Sequence, residues 1–227
     1  MKINTLTSGV TRLIYFVCLT LTSFDVDARN LRRSLQRERT SCKGGSVVDI
    51  EGDAGVKIEP IEQSNVYIDT LSEPFDDGHT FRFEFKTNSG NGTLFYAVRR
   101  NDVYDMVSAE IRDGYVQFKV RCKSSYADLT IPRFRVDDGE WHKIKFHRKR
   151  RKGIFMLDDM EFFEQYYVGC QGFTSLNFGN TNAEHDDSFS VQELQPKNGQ
   201  FEGCIRRVEI STGIETPPKY AAISQCN

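Results

Sequence analysis

The stretch Thr80-Phe-Arg-Phe-Glu-Phe-Lys-Thr87 alternates strictly between aromatic and charged side chains. Side chains on a β-strand point alternately to its two faces, so the three phenylalanines share one face and the three charged residues share the other. The pattern therefore predicts a strand with one face in a hydrophobic core and the other in water.

Strand-like runs and turn signals continue from this stretch along most of the chain. The runs are Gly92–Val98, Met106–Ile111, Tyr115–Cys122, Trp141–His147, Ile154–Leu157, Ser175–Phe178, Phe201–Cys204 and Arg207–Ser211. The turn signals include Asp113-Gly114, a typical hairpin loop. Neither a long amphipathic helix nor an internal repeat is visible. Many short strands separated by such turns predict an all-β fold, one antiparallel β-sandwich.

The composition is that of one folded domain with a nearly balanced charge. The chain has 227 residues, of which 38% are hydrophobic and 27% charged, and its formal net charge is −2. These values exclude a disordered chain and disfavour a protein that binds polyanions over its whole surface. The charges are nevertheless segregated, because residues 29–43 and 142–152 are basic whereas residues 49–77 are mostly acidic.

The N-terminus has the pattern of a secretory signal peptide over residues 1–28. Lys2 and Arg12 precede the apolar run Leu13–Phe24, and Val26-Asp27-Ala28 resembles a cleavage site. The apolar run is shorter than the ~20 residues of a membrane-spanning helix. We therefore expect a secreted, extracellular protein without a membrane span, with a flexible basic arm over residues 29–45 and one domain over 46–227. A buried N-terminal helix or an uncleaved anchor is the alternative.

Five cysteines remain once Cys18 is removed with the signal peptide. They are Cys42, Cys122, Cys170, Cys204 and Cys226. In an oxidising compartment an odd number predicts two disulfides and one remaining thiol, or a bond to another chain. The spacing of cysteines and histidines does not fit structural zinc.

Several motifs in a fixed order identify a family resemblance. Gly92–Tyr96 follows the phenylalanine strand, then come Asp113-Gly114, Asp138-Gly-Glu-Trp-His142 and finally Phe201-Glu-Gly-Cys-Ile205. This arrangement resembles a laminin G-like domain, as found at the ends of laminin alpha chains, over about residues 46–226. The resemblance implies a jelly-roll, concanavalin-like β-sandwich that binds receptors and glycans and is not an enzyme. We expect Trp141, with its large apolar ring, to lie between the two sheets.

The basic run His142–Lys152 is the first candidate site. It contains no acidic residue and seven cations, which are Lys143, Lys145, Arg148, Lys149, Arg150, Arg151 and Lys152. We expect Lys143 and Lys145 on the solvent face of a strand and Arg148–Lys152 in the turn that follows. Such a row of cations suits the sulfates of a heparin-like glycan, and the basic arm could extend it. The alternative is a solvated hairpin tip without a partner.

The resemblance also implies a possible calcium site, because many laminin G-like domains bind one Ca²⁺ at the rim of the sandwich. Asp105 matches the first ligand, and Asn182 is the first choice for the late-loop ligand, with Asn180 the second. The expected carbonyl ligands fall at Cys122 and Lys123, although a lysine beside a cation is unfavourable. Calcium prefers six to eight oxygen ligands, so such a site needs carbonyls and water as well.

Covalent features complete the set of predictions. The resemblance implies a disulfide between Cys204 and Cys226, and Cys122–Cys170 is a plausible second one. Cys42 would then be left for a disulfide-linked dimer, or it could take either partner of the second bond. Asn91-Gly-Thr93 is an acceptor sequence for N-glycosylation at a predicted turn.

These features favour a secreted, non-enzymatic binding module for cell-surface receptors or extracellular matrix, with a sulfated glycosaminoglycan as partner and no role in nucleic-acid binding. One alternative is a soluble carrier with a hydrophobic ligand between the sheets. Another is a glycan hydrolase, which would need paired carboxylates on alternate residues of one strand. Glu84 and Glu110 each occur singly in their strands.

Overall fold

The structure is a computed structural model that describes residues 48–99, 102–122, 125–150, 152–165, 172–180 and 200–226. The predicted signal peptide and the whole of the basic arm lie outside these residues. The described residues form fourteen strands and no α-helix. In chain order the strands are β1 (Val56–Ile58), β2 (Asn65–Ile68), β3 (Thr80–Lys86), β4 (Gly92–Arg99), β5 (Asp102–Arg112), β6 (Tyr115–Cys122), β7 (Ser125–Thr130), β8 (Trp141–Lys149), β9 (Lys152–Leu157), β10 (Met160–Gln165), β11 (Ser175–Gly179), β12 (Gly203–Ile210), β13 (Lys219–Ala221) and β14 (Ile223–Gln225).

The strands are arranged in two seven-stranded antiparallel sheets, as the predicted jelly-roll sandwich requires. The first sheet has the order β10-β9-β8-β3-β12-β1-β14, and the second has the order β13-β2-β11-β4-β5-β6-β7. In the part of the chain that is described, no helix is long and apolar enough to cross a membrane.

The core between the sheets is built largely from phenylalanine. The strict alternation in β3 is confirmed, because Phe81, Phe83 and Phe85 are at most 1% exposed. Rings from both sheets meet there: Phe81 and Phe83 of β3 each contact Phe95 of β4 edge to face. Because these rings pack toward the second sheet, the charged face of the first sheet points outward.

Two further predictions about local structure are confirmed, and one is wrong. β4 is buried on both faces from Gly92 to Val98, and Asp113-Gly114 forms the two-residue turn between β5 and β6 with positive φ at both residues. By contrast, the two short strands predicted near the C-terminus are one strand, β12. A register shift between Arg206 and Glu209 interrupts its pairing with β3, which explains why its hydrophobic pattern reads as two pieces.

The disulfide implied by the resemblance is present. Cys204 of β12 is bonded to Cys226, which follows β14, with a Cα–Cα distance of 5.7 Å. Both residues are buried. The bond attaches the end of the described chain to the first sheet.

Candidate functional site

The basic run lies in the hairpin formed by β8 and β9. Along β8, residues 142, 144, 146 and 148 are buried, whereas the residues between them are partly or fully exposed. Lys143 and Lys145 therefore lie on the outer face of the first sheet, as predicted. The turn itself is only residues 150 and 151, because β8 ends at Lys149 and β9 begins at Lys152.

Arg148 is not part of the exposed row, so its assignment to the turn is corrected. It is still in β8, on the inward side, and is 7% exposed. Its Nη1 donates a hydrogen bond to the carbonyl oxygen of Phe75 at 3.3 Å. Side chains an even number of residues apart on a strand lie on the same face, and those an odd number apart lie on opposite faces. Arg148 is three residues from Lys145, so it points inward whereas Lys143 and Lys145 point outward.

The tip of the hairpin is defined here as Lys149–Lys152. Lys149, Arg150 and Lys152 are exposed, and Arg151 lies outside the described residues. Lys149 and Lys152 stand directly opposite each other in the β8–β9 ladder. Arg150 has a left-handed backbone with φ of 54°, and its amide donates a hydrogen bond to the carboxylate of Asp77. This contact uses the backbone amide of Arg150 and not its guanidinium.

Lys143, at the other end of β8, is surrounded by acidic groups. Its ammonium lies 3.3 Å from Asp159, and Glu84 is its partner across the β3–β8 ladder. Glu84 also accepts hydrogen bonds from Arg206 and Arg207. The charge of Lys143 is thus largely offset within the protein, which makes it a weaker candidate for glycan binding than the tip.

Trp141 is on the outer face of the first sheet, so the prediction that its ring lies between the sheets is wrong. The Arg206 guanidinium is 3.7 Å from the ring centroid, and the Lys86 ammonium is 5.2 Å from it. The alternation along β8 explains the error: Trp141 is two residues before the exposed Lys143, so both side chains lie on the outer face. The ring is therefore covered by cation–π contacts and not by the hydrophobic core.

His142 points inward and links two turns. Carboxylates only accept hydrogen bonds, so both ring nitrogens act as donors: Nδ1 to Asp158 at 2.6 Å and Nε2 to Asp138 at 3.1 Å. The hydrogen bond to Asp158 raises the pKa of His142 against the effect of burial, with a further contribution from Asp138. Burial alone would raise the pKa of Asp158, but hydrogen bonds from His142 and the Lys143 amide outweigh it and lower the pKa.

We predict that this contact makes stability depend on pH from about 6.5 upward. A histidine whose folded pKa exceeds its unfolded value of ~6.5 contributes stability that is complete below that value and is lost as pH rises through the folded pKa. The contribution should be about 1 kcal/mol, because both carboxylates are partly exposed to solvent. The melting temperature of the wild type should therefore fall by roughly 2–4 °C through this range. The His142→Asn variant should lack that fall, and an equal slope in both proteins would contradict the prediction.

Comparison with known proteins agrees with this fold. The family model of the laminin G domain matches residues 85–212, more than half of the chain. The chain belongs to the laminin G domain family. The match contains β4 to β12, and thus the whole basic hairpin.

Relatives of this laminin G domain are segments of much longer proteins. Laminin subunit alpha-1 of Mus musculus is 37% identical over 139 residues, covering 56% of this chain and 4% of its own length. Basement membrane proteoglycan of Caenorhabditis elegans is 29% identical over 184 residues, covering 74% of this chain and 5% of its own length. The structure of mouse laminin alpha1 chain domains LG4-5 superposes with a TM-score of 0.65 at 14% identity, covering 80% of this chain and 49% of the other.

The calcium ligands implied by the family stay a prediction, because the side chain of Asp105 lies outside the described part of the structure. Asp105 lies in β5 where the β4–β5 register shifts, and Asn182 lies outside the described residues. Asn180 is fully engaged elsewhere, since its amide binds backbone groups of Glu59, Ile61 and Phe201. No cluster of three or more His, Cys, Asp or Glu in the described part of the chain could hold a metal ion.

The structure describes only some of the residues that the remaining covalent predictions concern. Asn91 lies at the turn before β4, where its Oδ1 accepts a hydrogen bond from the Asp113 amide at 3.2 Å. Glycosylation at this asparagine stays a prediction. Cys42 and Cys170 lie outside the described residues, as does the side chain of Cys122, so the second disulfide and the dimer through Cys42 also stay predictions.

Proposed function

We propose that this laminin G domain is an extracellular binding module that recognises heparin-like sulfated glycans through the tip Lys149–Lys152. The observation that carries the proposal is the set of exposed cations at a two-residue turn: Lys149, Arg150 and Lys152. Cations held close together at the end of a hairpin suit the repeated sulfates of such a chain, because charge-assisted hydrogen bonds are stronger than neutral ones. A cell-surface receptor or a matrix protein that bears these glycans would be the partner.

An extracellular location is supported by two independent features. The N-terminal 28 residues have the pattern of a secretory signal peptide. Relatives include a basement membrane proteoglycan and laminin subunits. Calcium stays a prediction of the family resemblance, and no step of the proposed recognition depends on it.

The alternative functions receive less support from the described residues. A carrier would hold its ligand between the sheets, where rings such as Phe118 and Phe155 already stack with centroids 4.0 Å apart. A hydrolase would need two neighbouring carboxylates, but Glu84 is in the first sheet and bonded to arginines, whereas Glu110 is in the second sheet and paired with Lys119. We therefore retain glycan recognition as the proposal.

A heparin column and a two-residue variant test this proposal. In Lys149→Thr with Arg150→Asn, the asparagine tolerates the left-handed backbone at position 150 while both charges are removed. At about 1 kcal/mol for each cation facing a polyanion, we expect the affinity for heparin to fall roughly 10- to 30-fold. The variant should leave the column at lower salt than the wild type.

A matched control removes the same charge from other parts of the surface. Lys57 is paired with Glu59 and Lys219 with Asp69, so Lys57→Thr with Lys219→Thr changes the net charge equally without touching the hairpin. We expect this control to elute with the wild type. If the wild type passes through heparin at physiological salt, or if both variants elute alike, the proposal fails.

A further inference from the structure

The loop Glu73–His79 lies against the end of β8, next to the tip of the basic hairpin. The Arg148 amide donates a hydrogen bond to the carbonyl oxygen of His79 at 3.0 Å. Two residues further along, the Arg150 amide donates to the carboxylate of Asp77. Because Arg150 has a left-handed backbone, which is costly for any residue except glycine, the contact with Asp77 supports the turn between β8 and β9.

His79 can make its observed contacts in only one protonation state. Its Nδ1 accepts a hydrogen bond from the amide of Asp76 at 3.0 Å, so this nitrogen carries no proton. Its Nε2 lies 3.2 Å from the carboxylate of Glu73, which can only accept, so this nitrogen carries the proton. The side chain is 21% exposed, so water can deliver a second proton to the ring.

A different partner for the protonated ring lies beside the same nitrogen. The carboxylate of Asp76 is 3.7 Å from Nδ1 of His79. Once Nδ1 gains a proton it can no longer accept from the Asp76 amide, but it can donate to the Asp76 carboxylate. One residue thus offers the ring an amide in its neutral form and a carboxylate in its charged form. The two arrangements exclude each other, because Nδ1 either carries a proton or does not.

His147 of β8 also contacts the loop but does not share this sensitivity. Its Nδ1 lies 3.1 Å from the carbonyl oxygen of His79 and 2.9 Å from the hydroxyl of Thr80. A carbonyl oxygen only accepts, so Nδ1 of His147 carries a proton already in the neutral ring. A second proton would go to Nε2 and leave both contacts in place.

The remaining charged groups beside the loop are engaged elsewhere. Arg148 of β8 points inward, and its guanidinium donates to the carbonyl oxygen of Phe75, whose ring contacts the ring of His79. Among the described residues, the carboxylates within 4 Å of the His79 ring belong to Glu73 and Asp76. The groups that respond to a change in the charge of His79 are therefore part of the loop itself.

We propose that the loop Glu73–His79 is an acid-sensitive clamp on the hairpin tip, which neutral His79 keeps closed and a proton from solvent on Nδ1 opens. On opening, Asp76 exchanges its amide for its carboxylate at the ring, and the adjacent Asp77 leaves the Arg150 amide. Histidine changes its charge between pH 5 and 8, so the tip is ordered near pH 7 and loosened near pH 5. The clamp itself stands without the proposed function, and only its effect on binding rests on that function.

The ring nitrogens of the wild type provide the first test. At about pH 7, nitrogen-15 NMR should show His79 with its proton on Nε2 and His147 with its proton on Nδ1, two opposite tautomers. A proton on Nδ1 of His79 at this pH would overturn the proposal, because the Asp76 amide would then have no acceptor there.

Amide hydrogen exchange measures the opening directly, with each rate divided by that of an unstructured chain at the same pH. From pH 7 to pH 5 the protection of the Asp76 and Arg150 amides should fall roughly 5- to 10-fold, as expected for the loss of one hydrogen bond at each. In His79→Asn the side-chain oxygen takes the place of Nδ1 and still accepts, but it does not take up a proton. Protection in this variant should therefore not change with pH.

His147→Asn is the matched control. The asparagine can still donate to the carbonyl oxygen of His79, so this variant should keep the full response of the wild type. A wild type whose protection is the same at both pH values, or a fall of equal size in His79→Asn, would show that His79 does not operate a clamp.

Heparin affinity then tests the effect of the clamp on the tip. The wild type and His79→Asn should bind alike near pH 7. Near pH 5 the wild type should bind about 3-fold more weakly than the variant, despite its additional positive charge, because binding must first reorder the tip. Equal affinities near pH 5 would refute this effect on binding. If neither protein binds heparin at either pH, the proposed function fails, whereas the exchange rates still decide whether the clamp exists.

Discussion

The Asn180→Asp variant should lose about 4 kcal/mol of unfolding free energy at neutral pH. The side chain of Asn180 is 2% exposed, and its Nδ2 donates to the carbonyl oxygens of Glu59, Phe201 and Ile61 at 2.8, 3.0 and 3.1 Å. Its Oδ1 accepts a hydrogen bond from the Phe201 amide at 2.7 Å. An aspartate of the same shape has no N–H to donate and places a buried charge against those carbonyls.

The position of Asn180 explains why the loss should be large. Its two-point contact with Phe201 joins the ends of the segment between residues 180 and 201, and its contacts with Glu59 and Ile61 attach both to the loop before β2. Three separate pieces of chain therefore depend on one amide. A change of 4 kcal/mol corresponds to a drop of roughly 8–16 °C in melting temperature for a domain of this size.

Urea denaturation at two pH values checks the mechanism as well as the size of the effect. A buried carboxyl group is protonated more readily than an exposed one, so the deficit of Asn180→Asp should diminish between pH 7 and pH 5. Asn88→Asp makes the same chemical change at an exposed residue and should cost under 0.5 kcal/mol. A deficit below 1 kcal/mol at pH 7 would show that the Asn180 contacts are unimportant.

The sequence was sufficient for the fold because its strongest signals are local. The alternation around Phe83 has a period of two, and the Asp113-Gly114 pair meets the conformational demand of a two-residue turn, so each could be interpreted without knowing its neighbours. The outward direction of Lys145 follows from the same rule. The buried position of Arg148 follows from it too, although the density of charge around it suggests a turn.

The remaining features of the site depend on contacts between distant parts of the chain. The pairing of Lys145 with Arg82 requires the register of β3 against β8, which a single sequence does not contain. Trp141 is covered by Arg206, which is 65 residues further along the chain. Asn180 was a candidate calcium ligand because the side-chain amide of an asparagine that follows a strand can bind either a cation or backbone groups. Only the fold decides which of these partners it has.

The Gly92→Ala variant should be the second strongly destabilised protein. A Cβ atom at Gly92 would lie 2.4 Å from Cα and 2.5 Å from N of Phe201, much closer than van der Waals contact allows. These are backbone atoms, and the Asn180 side chain is hydrogen-bonded to both the amide and the carbonyl of Phe201, so Phe201 has little freedom to move away. Gly92 also has φ of 144°, a conformation that alanine adopts only with strain.

Gly78→Ala separates the steric effect from the backbone strain. Gly78 has φ of 90°, and a Cβ atom there would meet nothing within 4 Å, so this variant carries the strain alone, about 1–2 kcal/mol. Gly92→Ala should cost about 4 kcal/mol or more in the same urea titration, or fail to give the β-sheet circular dichroism signal. Equal stability of the two variants would mean that Phe201 can shift away from β4. The start of β4 would then be held less tightly than the close approach of Gly92 to Phe201 indicates.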